Sequence, residues 1–100
     1  MLVVSGAMSF REDRLEEAHR QALLIMSQSS AEPGCRTYEL SAKLTDPLTY
    51  RLFEEWESPE ALTAHFDTPH FKAFAAALPG LLSAVPNFLR YEIAEVRPLR

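Results

Sequence analysis

One hundred residues, 47% of them hydrophobic and 24% charged, are enough for one domain with its own core, and residues 1–100 read as a single unit. Ten Lys and Arg against fourteen Asp and Glu give a net charge of −4, and the cations stand singly, which disfavours a phosphate-tracking surface and hence nucleic acid. No apolar run reaches membrane-spanning length, no basic leader opens the chain, and the single Cys35 excludes an internal disulfide, so a cytoplasmic protein without a membrane partner is expected.

Leu2 to Met8 is apolar without a helical stripe and reads as a first, central strand. Ser9 with Glu12 has the spacing of a capping box. Leu15, Ala18, Ala22, Ile25 and Met26 then mark one face of a helix reaching about Ser29. Ala31-Glu32-Pro33-Gly34 ends it, because proline cannot continue the hydrogen bonding and glycine tolerates a left-handed turn. From Cys35 the chain alternates, with Arg36, Tyr38, Leu40 and Ala42 on one face. After a hairpin at Leu44-Thr45-Asp46-Pro47, it alternates again from Leu48 to Glu57. Ser58-Pro59-Glu60 opens a short helix to about Phe66. Thr68-Pro69 opens another, whose Phe71, Phe74, Ala75 and Leu78 share a face before Pro79-Gly80 stops it. Phe88 to Val96 should be the last strand.

The order β-α-β-β-α-β predicts an α+β fold of the ferredoxin-like kind: a four-stranded antiparallel sheet with helices on one face. The other face stays bare. If it carries Tyr38, Tyr50, Trp56 and Tyr91, water should not wet it alone, and a homodimer joined through the sheets is expected.

The ordered set Glu32-Pro33-Gly34-Cys35 with Tyr38, Phe53-Glu54-Glu55-Trp56, Ser58-Pro59-Glu60-Ala61-Leu62 and Ala64-His65-Phe66-Asp67-Thr68-Pro69-His70-Phe71 resembles the antibiotic biosynthesis monooxygenase family, over roughly residues 1 to 96. That resemblance implies a dimeric α+β barrel with a pocket between sheet and helices in each protomer. It also implies a cofactor-independent monooxygenase-like enzyme that joins O₂ with a small aromatic quinol or polyphenol. A non-catalytic ligand-binding dimer and an isomerase on the same scaffold remain open.

The resemblance puts His65 at the pocket, where an imidazole can accept a phenol proton near pH 7; a helix-packing or capping histidine is the rival reading. Tyr38, Trp56, Phe66, His70 and Phe74 are the expected substrate-binding residues, although the aromatic stripe is equally the core of any helix lying on a sheet. Glu54 shares a strand face with Trp56, opposite Phe53, and the alternation does not say which face the helices cover. His19 reads as a boundary residue, and Cys35 has no adjacent base or metal ligand that would make it reactive. Metal and cofactors are not expected: His65 and His70 are five apart across a Thr-Pro break rather than at i and i+4, no phosphate-binding glycine motif occurs, and Phe74-Ala75-Ala76-Ala77 offers no axial haem ligand.

Overall fold

The computed structural model describes residues 1–100. Four strands, β1 (Leu2–Ser9), β2 (Cys35–Lys43), β3 (Asp46–Trp56) and β4 (Asn87–Glu92), form one sheet in the order β2-β3-β1-β4, every neighbour antiparallel. Three helices, α1 (Leu15–Ser30), α2 (Pro59–Phe66) and α3 (Pro69–Ala77), complete the expected β-α-β-β-α-β order, with the second helical element broken in two at Asp67. None is long and apolar enough to cross a membrane.

Local sequence explains most boundaries. Pro33 and the positive φ of Gly34 (82°), with Cys35 N–H donating to Glu32 O (3.1 Å), are the signature of a type II turn, which ends α1 and starts β2. Ser58 accepts the Ala61 N–H as N-cap of α2, with Pro59 in the first turn. Thr68 serves two helices at once: its hydroxyl accepts from Phe71 N–H and donates to His65 O, which fixes α3 against the end of α2.

Three expectations change. Ser9 caps no helix: it is the last residue of β1, with its hydroxyl 3.0 Å from that of Thr49. A single 3-10 turn, Glu12–Arg14, then leads into α1 without a side-chain cap. Phe10 bridges to Leu82, which keeps the chain extended past the point where a capping box would bend it. The last strand stops at Glu92, four residues earlier than the alternation suggests, because β1, its only neighbour, runs out at Leu2, opposite Glu92.

The largest change concerns the faces. Tyr38, Tyr50 and Trp56, expected on the bare side, are buried at 5%, 7% and 0% exposure with Leu40 and Leu52 on the face covered by helices. Residues paired directly across an antiparallel sheet share a face, so Met8 and Tyr50, Leu2 and Trp56, and Gly6 and Phe88 belong to that side too. The bare face carries Val3, Ser5, Arg51, Phe53, Glu55, Leu89 and Tyr91, and of the four aromatics only Tyr91 is there. Alternation gave two faces without saying which one the helices choose. The choice falls on the bulkier set because α1 brings Ala18, Ala22 and Ile25, small or aliphatic side chains that leave room for large ring surfaces beneath.

Gly6 sits where β1 passes under Phe88. A Cβ there would lie 2.5 Å from both Asn87 O and the Phe88 ring, so only glycine lets β1 and Phe88 approach this closely. Gly6→Ala should therefore lower the unfolding free energy by about 1–3 kcal/mol, read as a reduced urea midpoint at unchanged slope.

Candidate functional site

Between the sheet and α2 and α3 lies a cavity of about 330 Å³, near the lower end of the range in which small organic ligands bind. Val4, Tyr38, Leu52 and Glu54 form its floor on the strands. Leu62, His65 and Phe66 come from α2, and Phe71, Phe74, Ala75 and Leu78 from the segment that follows. Phe88, held over Gly6, closes one side. Ten of these twelve residues are hydrophobic, and no Lys or Arg is among them. The polar side chains on the wall are Glu54, His65 and Tyr38, the last with its hydroxyl beside Ser29 of α1.

His65 is 1% exposed. Its ring is held by aromatic neighbours, with centroids 4.8 Å to Trp56, 5.1 Å to Phe71 and 5.6 Å to Tyr38. Its Nδ1 lies 2.6 Å from Glu32 Oε2, and the same oxygen is 2.7 Å from His70 Nε2. Nδ1 is thus occupied, and Nε2, which makes no hydrogen bond to the protein, is the atom left for a ligand. Burial holds the imidazole below its ordinary pKa, with Glu32 pulling the other way. At neutral pH the ring is therefore an uncharged base.

Glu54 is 5% exposed, and its Oε1 accepts a hydrogen bond from Trp56 Nε1 at 2.8 Å. Burial, reinforced by the nearby Glu32 charge and opposed by the Trp56 bond, pushes its carboxyl up to about 7. Burial likewise drives the Tyr38 hydroxyl far above its usual range, reinforced by Glu54 and opposed by the Ser29 hydroxyl beside it, so it stays protonated. The thiol of Cys35 is pushed up to about 11, chiefly by burial, and is unreactive at neutral pH.

Four of the six residues singled out in the sequence, His65, Tyr38, Phe66 and Phe74, line the cavity. Trp56 does not. It is fully buried beside the site and reaches it only through Glu54 and the face of His65. His70 also stands outside, 17% exposed by side chain, where it bonds Glu32. His19, read as a boundary residue, is not among the cavity's lining residues and has Nδ1 3.3 Å from the Tyr50 hydroxyl. The residue that sequence reasoning gave no chemical role is Glu32, noted only within a turn and within the family motif. The available signal was a carboxylate immediately before Pro-Gly, a position whose backbone direction the turn fixes.

The histidine spacing that argued against a metal left this carboxylate out. Glu32, His65 and His70 bring their ligand atoms within 4.8 Å of one another. The Glu32 oxygen already engages both imidazoles directly, so an ion would enter only by replacing two short hydrogen bonds.

The family model described as "Antibiotic biosynthesis monooxygenase" matches residues 1–77. The chain belongs to that family. Within it, the chain is 30% identical over 95 residues to "Putative monooxygenase YcnE" of Bacillus subtilis, covering 95% of this chain and all of that one. It is 35% identical over 75 residues to "Probable quinol monooxygenase YgiN" of Escherichia coli, covering 62% of this chain and 72% of that one. A crystal structure from Deinococcus radiodurans superposes with a TM-score of 0.92 at 22% identity, over 100% of this chain and 99% of that one, so the family's ferredoxin-like α+β fold is shared.

Glu54 gives this site a measurable signature. Because the folded protein binds its proton more tightly than the unfolded chain, Glu54 contributes most stability below its ordinary pKa of 4.5 and loses it as pH rises through about 7. Relative to Glu54→Gln, the protein should lose stability across that window, approaching about 3 kcal/mol at higher pH. Urea titrations of both proteins at several pH values read the difference.

Proposed function

We propose that the protein is a monooxygenase acting on a small, neutral, aromatic quinol or polyphenol, with no cofactor and with the electrons drawn from the substrate itself. The observation that carries this reading is an apolar, ring-lined cavity on whose wall the buried His65 keeps Nε2 free of any hydrogen bond to the protein while Nδ1 is engaged. A phenolic ring stacked among Phe66, Phe71 and Phe74 would present a hydroxyl to that atom, which takes its proton as a general base. The Tyr38 hydroxyl would stabilise the resulting phenolate. The phenolate gives an electron to O₂, and the radical pair recombines on the ring. Loss of water then leaves a hydroxyquinone: one oxygen atom enters the ring and the other departs as water, so the quinol supplies all the electrons. The protein's share is orientation, proton acceptance and exclusion of water. The absence of Lys and Arg from the wall, and the presence of Glu54 on it, favour a neutral ligand over a carboxylate or phosphate ester.

O₂ consumption with a panel of hydroquinones should exceed the uncatalysed rate, and His65→Ala should lower kcat by about 10²- to 10⁴-fold. Uptake at the background rate, or full activity in His65→Ala, would end this reading.

A second reading rests on Glu54. A carboxyl that titrates near 7 on the same wall as a neutral imidazole equips the cavity with an acid as well as a base, as an isomerase needs. Turnover that persists without oxygen would favour it.

We also propose that the working unit is a homodimer joined through the bare sheet face. Phe53, Leu89 and Tyr91 are 36%, 50% and 46% exposed there. Val3 and Ser5 of β1 lie between Phe53 and Glu55 on β3 and Leu89 and Tyr91 on β4, which makes one contiguous patch. Arg51 and Glu55 on the same face give a second copy opposite charges to meet. Sedimentation should give a dimer at micromolar concentration and a monomer for Phe53→Lys; a monomeric parent protein refutes the arrangement.

A further inference from the structure

The grouping that the cavity chemistry does not by itself use is the pair of hydrogen bonds on one oxygen of Glu32. We propose that Glu32 is the positioning residue of His65: it holds the Nδ1–H tautomer so that the Nε2 lone pair is presented to the cavity, and His70 tunes this hold by sharing the same oxygen. The inference rests on the reading of His65 as the proton acceptor and extends it to two residues outside the cavity.

The geometry is specific. A carboxylate oxygen only accepts, so a nitrogen 2.6 Å away must donate, and in a neutral imidazole the other nitrogen then carries the lone pair. Both partners are held from elsewhere. Glu32 is the first residue of the Pro33-Gly34 turn, and a Cβ on Gly34 would lie 2.7 Å from the Ala61 side chain of α2, so turn and helix are in close contact. His65 O is anchored by Thr68. His70 reaches the oxygen from the first turn of α3 at 2.7 Å. Exposure rises from His65 at 1% through Glu32 at 10% to His70 at 17%, so the negative charge stands behind the base, between the closed cavity and the water.

This placement has two chemical effects. When His65 takes a proton at Nε2, the imidazolium forms 2.6 Å from an anion, which favours the transfer without placing that charge in the cavity. When His70 is protonated, it claims part of the same anion and opposes a second charge on His65. The other ionisable groups around this centre are Tyr38 and Cys35 on β2 and Glu54 on β3. Tyr38 and Cys35 are uncharged at neutral pH, which leaves Glu54 as the remaining variable charge.

The test has two arms. Imidazole ¹⁵N NMR of the ligand-free protein should find His65 protonated at Nδ1 and bare at Nε2. Glu32→Ala should give a mixed tautomer, and Glu32→Gln a lower His65 pKa. His70→Gln, which still donates to Glu32 but cannot be charged, should raise the His65 pKa. In turnover, Glu32→Gln should lower kcat about 10²-fold with KM within threefold and move the acidic limb of the pH profile to lower pH, while His70→Gln should move that limb to higher pH. An unchanged tautomer and titration of His65 in both Glu32 variants, with circular dichroism confirming their fold, would overturn the proposal. So would stabilisation by Zn²⁺ or Mn²⁺ that His70→Gln removes, since that would make the cluster an ion site. If no substrate is turned over, the monooxygenase reading fails while the NMR arm still decides the role of Glu32.

Discussion

One carboxylate oxygen ties three parts of the chain together. Glu32 Oε2, at the turn between α1 and β2, binds histidines 33 and 38 residues further on, in α2 and α3. Removing either partner of such a buried bond leaves a polar group unsatisfied, at a cost of about 1–3 kcal/mol. Thr68 completes the arrangement by joining the end of α2 to the start of α3, so both helices sit at a fixed height above the sheet. The cavity exists because that layer is held from outside it and does not need to fill the space beneath. Phe66, Phe71 and Phe74 can then line a hollow where they would otherwise close a core.

The electrostatics follow from the same geometry. A buried carboxylate raises the cost of any second negative charge nearby, and Glu32 is among the causes that lift Glu54, Tyr38 and Cys35 above their ordinary values. The cavity wall consequently carries a neutral base, a protonated phenol and a carboxyl whose charge changes near pH 7. Its only full anion is kept behind His65. Such an interior accepts an uncharged ring and resists an anionic one, which matches the ring-lined wall in selecting ligands.

The family reading and the fold agree because both rest on local features that fix backbone direction. Glu32-Pro33-Gly34 makes a type II turn whatever surrounds it, and Ser58-Pro59 and Thr68-Pro69 start helices by capping chemistry that needs only neighbours in sequence. Where the sequence misled, longer-range pairing prevailed. Ser9 has the spacing of a cap, yet it continues β1 because strand pairing with Thr49 and the bridge from Phe10 to Leu82 hold the chain extended.

The alternation of β2 and β3 and the two proline-started helices were legible in the sequence, because each depends on residues a few positions apart, while the place of His65 at the cavity came from the family resemblance. Three things came only from the tertiary structure. These were the face that the helices cover, the removal of Trp56 from the cavity wall, and the meeting of Glu32 with His65 and His70. A period of two fixes which side chains stand together without fixing which side is inside. A turn residue and two histidines more than thirty positions apart share one oxygen only once the sheet, the turn and both helices are in place.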